Sequence, residues 1–192
     1  AMAPARVDFE FPPFYSLPPF FTLQPNAAVR EKQLALWRQL VCGYCAHHRI
    51  FILDLSDAAA SGQELFCNKA LRRQLSSEGL RALAEHMVSE KVAKALEAAA
   101  GREEDWRRVL VLWRGASEWA DLVLKWAECS GRLGGVETVA AIAGGECSEG
   151  EPFHGAPEEL IVVALEELVA RGRATIFRGT QTSAMGVKFL PA

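Results

Sequence analysis

Two cysteines and two histidines are the residues best suited to bind a metal. Cys42, Cys45, His47 and His48 lie within the run "CGYCAHH", and zinc prefers thiolate and imidazole ligands. A structural zinc site needs four well-spaced ligands, and no second pair follows at a usual spacing. Cys45 also lies on the apolar face of a predicted helix, which favours buried free thiols over ligands. We predict that the chain binds no metal and no other cofactor.

The sequence contains no recognisable catalytic constellation. His154 in "EPFHG" is the most plausible acid or base, but no nucleophile or carboxylate pattern surrounds it. The glycine-rich stretch "AGGECSEGE" lacks the Lys and Ser/Thr that complete a phosphate-binding loop. We therefore predict that the protein is not an enzyme. The five cysteines form an odd number, which is typical of free thiols in a reducing compartment and predicts a cytoplasmic protein.

The spacing of apolar residues predicts one order of elements written twice: helix, short helix, helix and closing β-hairpin. This is the plan of a winged helix. The predicted fold is α+β and mostly helical, with two tandem winged-helix domains at residues 26–114 and 115–192, and an N-terminal arm at residues 1–25. The first domain should contain helices over 26–48, 68–74 and 76–91, and a strand within 49–55. The second should contain helices starting at Ser117, over 136–143 and over 157–173.

The distribution of charge argues against nucleic acid as a partner. Residues 1–114 carry a net charge of +2 and residues 115–192 a net charge of −5. Winged helices that bind DNA insert their third helix beside phosphates, so that helix should be basic. Here the candidate helices, residues 76–91 and 157–173, carry net charges of −1 and −2. A winged-helix transcription regulator remains an alternative, but the sign of these charges disfavours it.

The N-terminal arm carries a repeated proline-aromatic unit. Pro12-Pro13-Phe14-Tyr15 and Pro18-Pro19-Phe20-Phe21 are six residues apart. In a polyproline II helix, with three residues per turn, both units would lie on one side and fit an aromatic-lined groove. We expect these eight residues to bind a partner protein, and their aromatic rings to contribute little to folding. Two alternatives stay open: the arm packs on its own domain, or the first unit, which fits P-P-x-Y, is a ligand for WW domains.

The chain resembles the vacuolar protein-sorting-associated protein 25 family, the small subunit of the endosomal sorting complex required for transport II (ESCRT-II). The resemblance rests on the arm "PPFYSLPPFFTLQPN" leading into "REKQLALWRQLVCGYC", on "LVLWRGASEWADLVLKWA", on the "GEPFHG" loop and on the closing "GVKFL". It extends over the chain from Phe9 onward, and is weak between Phe51 and Asn68. Like our reading of the charges, the family implies winged helices that bind protein rather than DNA.

The resemblance also implies partners. Two copies of the family's small subunit join one copy each of two larger ESCRT-II subunits, and its proline-aromatic arm docks on them. Its C-terminal winged helix recruits the first-acting subunit of ESCRT-III, in the sorting of ubiquitinated membrane proteins into multivesicular bodies. The protein would then be cytoplasmic and reach endosomal membranes only through the complex. Four acidic residues of the last long helix are our candidates for ESCRT-III docking: Glu158, Glu159, Glu166 and Glu167.

Overall fold

The computed structural model describes residues 8–55, 57–58, 62–96, 108–177, 181–182 and 184–191. The chain divides into two compact units, Ala1–Trp113 and Arg114–Ala192. Each unit contains long helices packed against a small antiparallel sheet, and each sheet ends in the hairpin that closes the unit. With this order of elements, both units are winged helices, and the fold class is α+β.

The first unit is built on a 22-residue helix, α1 (Ala27–His48). Asn26 caps it through a hydrogen bond that the Val29 amide donates to its side chain, and this satisfies one of the free amides of the first turn. Helix α2 (Ser77–Ser89) begins in the same way at Ser76, whose hydroxyl accepts from the Gly79 amide. Strands β1 (Ile52–Asp54), β4 (Ala93–Ala95) and β5 (Arg108–Val111) form an antiparallel sheet with β5 in the centre. The predicted loop of this hairpin, residues 97–107, lies outside the described residues.

The predicted short helix over residues 68–74 is wrong. The structure has a tight hairpin there, formed by β2 (Cys67–Asn68) and β3 (Arg73–Gln74). The Asn68 side chain accepts a hydrogen bond from the Leu71 amide, a local bond that competes with helix formation. Arg72 then adopts a left-handed conformation with φ of 51°, which no helix residue can share. Asn68 therefore initiates a turn.

The second unit repeats the plan with α3 (Ala116–Cys129), α4 (Val139–Gly144) and α5 (Glu158–Ala170). Its sheet has β8 (Gly186–Phe189) between β6 (Val136–Thr138) and β7 (Ala174–Phe177). Strand β6 replaces the first half of the short helix predicted over 136–143. Its residues pair with β8, far away in sequence, so local periodicity could not reveal it. Helix α5 ends before Gly172, whose φ of 70° suits glycine.

Candidate protein-interaction surfaces

The N-terminal arm is not a polyproline II helix. Its two proline-aromatic units form consecutive 3-10 turns, Pro13–Ser16 and Pro18–Phe21, separated by Leu17 in an extended conformation. A proline fits the first turn of a helix because its ring fixes φ and its missing amide hydrogen is not needed there. Each turn closes with a backbone hydrogen bond, from the Leu17 amide to the Phe14 carbonyl and from the Thr22 amide to the Pro19 carbonyl.

The second turn belongs to the core of the first unit. Phe20 and Phe21 are both buried. The Phe20 ring stacks on Trp37 of α1 with centroids 4.3 Å apart and planes inclined by 13°, and Phe21 meets the same indole edge-on at 5.6 Å. Burying an aromatic ring contributes several kcal/mol to folding. Our expectation that these rings contribute little to folding is therefore wrong, because they fill the space above Trp37.

A buried polar side chain, missed by the sequence reasoning, fixes this turn to α1. Gln33 lies four residues before Trp37 on the buried face of α1. Its Nε2 donates to the carbonyl oxygens of Phe20, at 2.8 Å, and Thr22, at 2.9 Å, while its Oε1 accepts from the Gln24 amide. The Trp37 indole also donates to the Phe20 carbonyl. The arm's backbone thereby gains partners where it is shielded from water.

The first turn is held at its tyrosine. Tyr15 is buried and its hydroxyl donates to the backbone carbonyl of Glu64. Asn68 donates from its side chain to the Tyr15 carbonyl at 3.1 Å, and Tyr44 donates to the Glu64 carboxylate at 2.8 Å. Burial, with smaller contributions from nearby Cys67 and Glu64, raises the pKa of Tyr15 to about 12. The pKa of Tyr44 is raised as well, first by burial and then by its hydrogen bond to Glu64.

The outer side of the arm remains accessible. We define the arm rim as Pro13, Phe14, Leu17, Pro18 and Pro19. Phe14 is half-buried and the three prolines are exposed, while Leu17, between the two turns, exposes 57% of its surface. Of the eight predicted partner-binding residues, Tyr15, Phe20 and Phe21 thus face the core. The other five are Pro12, Pro13, Phe14, Pro18 and Pro19, of which Pro12 and Phe14 are half-buried.

A group of positive charges lies beside the arm rim. Strand β3 runs next to the second turn of the arm, and the β2–β3 hairpin exposes Lys69, Arg72 and Arg73, which we call the basic turn. Within the part of the chain that the structure describes, none of the three has an ion pair. The surface around Leu17 is thus apolar at its centre and basic along one side.

The four glutamates predicted for ESCRT-III docking lie at opposite ends of α5. Glu158 and Glu159 occupy its first turn, where negative charge suits the helix dipole. Glu167, near the other end, contacts Arg171 at 3.0 Å. Arg171 also bonds Asp121 at 2.5 Å and the Ser117 carbonyl of α3. Glu167 is therefore part of a polar junction between α5 and α3.

The second unit has an exposed apolar patch that the sequence reasoning did not identify. On the outer face of its sheet, Val136 and Phe177 expose 61% and 50% of their surfaces. Both lie against Gly186 of the central strand, since a Cβ at Gly186 would be 3.5 Å from a Val136 methyl and 3.8 Å from Phe177. We call Val136 and Phe177 the outer patch. Their neighbour on the same face of β8 is Lys188.

The residues considered for metal binding and catalysis have structural surroundings. Cys45 is fully buried, Cys42 is half-buried, and burial raises the pKa of both thiols. Across the described ranges, no group of three or more His, Cys, Asp or Glu could hold a metal ion. His154 places its Nδ1 2.9 Å from the hydroxyl of buried Ser148, which donates to the Gly145 carbonyl. The serine thus fixes the loop before α5.

No helix among the described residues combines the length and the apolar character needed to cross a membrane.

Comparison with known proteins identifies the family. A family model described as "ESCRT-II complex subunit" matches residues 14–157. Relatives named vacuolar protein-sorting-associated protein 25 are 36% identical in Danio rerio, over 94% of this chain and 95% of the relative, and 34% identical in Homo sapiens, over 94% of both. The Arabidopsis thaliana relative is 35% identical over 95% of this chain and 96% of its own length.

Solved structures agree with these sequence matches. The crystal structure of subunit VPS25 of ESCRT-II has a TM-score of 0.78 and 29% identity, covering 93% of this chain and 98% of that one. A chain in the crystal structure of the VPS22/VPS25/VPS36 complex has a TM-score of 0.75 and 28% identity, with coverage of 91% and 96%. The model match covers most of the chain, and the relatives match it almost end to end. The chain therefore belongs to the vacuolar protein-sorting-associated protein 25 family of ESCRT-II complex subunits.

Proposed function

We propose that this protein is a non-enzymatic adaptor subunit of ESCRT-II. It binds the two larger subunits, the counterparts of VPS22 and VPS36 in the solved complex, through the arm rim. It recruits ESCRT-III through its C-terminal winged helix, in the sorting of ubiquitinated membrane proteins at endosomes. Two copies of the chain join one copy of each larger subunit, and the protein reaches the membrane from the cytoplasm through the complex.

The exposure of Leu17 is the observation that carries the proposal for the arm. The two 3-10 turns fix Leu17 from both sides, and Phe20, Gln33 and Trp37 fix the second turn to the core. A leucine held outward at 57% exposure loses little conformational freedom when a partner covers it, so most of its burial contributes to affinity. Rigid apolar anchors of this kind occur at the centres of protein interfaces.

The basic turn gives the proposed interface its electrostatic character. Because Arg73 lies beside the second turn of the arm, a partner that covers Leu17 also approaches Arg73. We expect acidic residues on the larger subunits opposite it, since an unpaired charge covered by a partner would weaken binding. Reversal to Arg73→Glu should lower affinity through like-charge repulsion, and this loss should shrink as salt is raised.

Co-purification with the two larger subunits tests the proposal for the arm. Leu17→Asp places a charge at the centre of the rim without touching the core, and should reduce recovery of the complex at least tenfold. The matched control is Val29→Asp: Val29 is 50% exposed in the first turn of α1, where an acidic residue suits the helix dipole. Equal recovery of both variants and the wild type would contradict docking through the arm rim.

Two features support recruitment of ESCRT-III by the second unit. Its net charge of −5 favours a basic partner, and the outer patch offers the apolar anchors that an amphipathic segment needs. Val136→Ser with Phe177→Ser should abolish binding of the first ESCRT-III subunit by the full chain, with unchanged binding to the larger ESCRT-II subunits. Reversal of Glu158, Glu159 and Glu166 to Lys should slow association, as rim charges do. Glu167 is kept in this test because it holds Arg171. Binding that withstands both sets of changes would contradict this part of the proposal.

A further inference from the structure

We infer that Pro12-Pro13-Phe14-Tyr15 is a latent WW-domain ligand that the protein's own first unit keeps closed. The run satisfies the P-P-x-Y pattern in sequence. WW domains bind proline-rich ligands as extended polyproline II segments laid in an aromatic groove, and the tyrosine of this motif must be free to enter the groove. The folded chain meets neither condition.

The backbone of the motif has the wrong conformation. Residues Pro13–Ser16 form a 3-10 turn, closed by hydrogen bonds from the Tyr15 amide to the Pro12 carbonyl and from the Leu17 amide to the Phe14 carbonyl. A polyproline II helix has no internal hydrogen bonds and rises about 3.1 Å per residue. A WW domain would have to unwind this turn before it could bind.

The tyrosine is also inaccessible. Tyr15 exposes 7% of its surface, its hydroxyl is bonded to the Glu64 carbonyl, and its own carbonyl accepts from Asn68. Its ring stacks on Phe11 with centroids 4.2 Å apart and meets Phe21 edge-on at 5.3 Å. These contacts join Tyr15 to the side of the arm that faces the core, so the key ring of the motif is covered.

The structure contains a hinge at which the motif can open. Leu17 is extended, with φ of −96° and ψ of 117°, and its side chain is largely exposed. The anchors of the second turn, Gln33 and Trp37, all lie beyond this hinge. Residues 8–16 can therefore detach at the cost of the Tyr15 contacts and the rings of Phe9 and Phe11 on Tyr44, while Phe20 stays in place. Opening needs local release only, and such local openings are the usual low-energy excursions of a folded protein.

The test compares a synthetic peptide of residues 8–17 with the full chain, each titrated into a WW domain that reads P-P-x-Y. The apparent affinity of a closed ligand falls by the fraction of molecules that are open. The peptide should bind, its Tyr15→Ala version should not, and the full chain should bind at least tenfold more weakly than the peptide. In the full chain, Phe9→Ala, Phe11→Ala and Asn68→Ala together should restore binding towards the peptide's level, because they remove anchors outside the motif.

Two results would overturn the inference. A peptide that does not bind would show that the motif is no WW ligand, and a full chain that binds as tightly as the peptide would show that it is not closed. Neither result bears on the arm rim, because Leu17 and Pro18–Pro19 lie outside the motif.

Discussion

Truncating Phe20 tests whether the arm is part of the core of the first unit. Phe20 is 6% exposed, stacks on Trp37 and packs against Phe21 and Phe14. Phe20→Ala removes the ring from a site bounded by the rigid indole, which cannot collapse into the space. Buried Phe→Ala substitutions lower the free energy of unfolding by about 3–5 kcal/mol, and we expect a loss in that range.

Denaturant titration followed by tryptophan fluorescence measures this loss. Because the protein has two compact units, the data should be fitted with a transition for each, and the second unit's transition serves as an internal reference. Leu17→Ala is the matched control, since trimming an exposed side chain in the same arm should change the free energy of unfolding by less than about 0.5 kcal/mol. A Phe20→Ala variant that loses less than 1 kcal/mol would refute integration of the arm into the core.

Three further predictions follow from other residues. Gln33→Leu leaves the Thr22 carbonyl without its buried donor and should cost about 1–3 kcal/mol of folding free energy, measured by the same titration. Tyr15 has a pKa raised to about 12 in the folded protein, against about 10 when unfolded; its contribution to stability is complete below pH 10 and is lost as pH rises toward 12, so denaturation from pH 9 to 11.5 should be less pH-dependent in Tyr15→Phe. Duplex DNA should bind with a dissociation constant no better than about 10⁻⁴ M at physiological salt in an anisotropy titration, because both candidate recognition helices are acidic; sequence-selective sub-micromolar binding would contradict the adaptor function.

Much of the fold could be predicted because its elements carry local signals. The caps Asn26 and Ser76 and the apolar stripes of the long helices mark these elements, and each signal depends on residues within about two turns. Strand β6 and the β2–β3 hairpin were missed because their signals are not local. Val136–Thr138 becomes a strand only when β8 pairs with it, and a side-chain bond from Asn68 overrides the helical pattern that follows it.

The candidate site shows the same limit. The repeated proline-aromatic units were visible in the sequence, but which rings face the core depends on Trp37, Gln33 and Glu64. These residues lie 13 to 49 positions from their partners in the arm. A buried glutamine four residues before a core tryptophan was the available signal, because a polar group on an apolar face needs a hydrogen-bonding partner.

Side-chain footprinting of Leu17 tests the central claim most directly, because it reports whether a partner covers the arm rim. Hydroxyl radicals should label both Leu17 and Val29 in the isolated chain, since their exposed fractions are 57% and 50%. In the complex with the two larger subunits, labelling of Leu17 should fall at least fivefold while labelling of Val29 stays within experimental error. Equal labelling of Leu17 in the free chain and in the assembled complex would contradict docking through the arm rim.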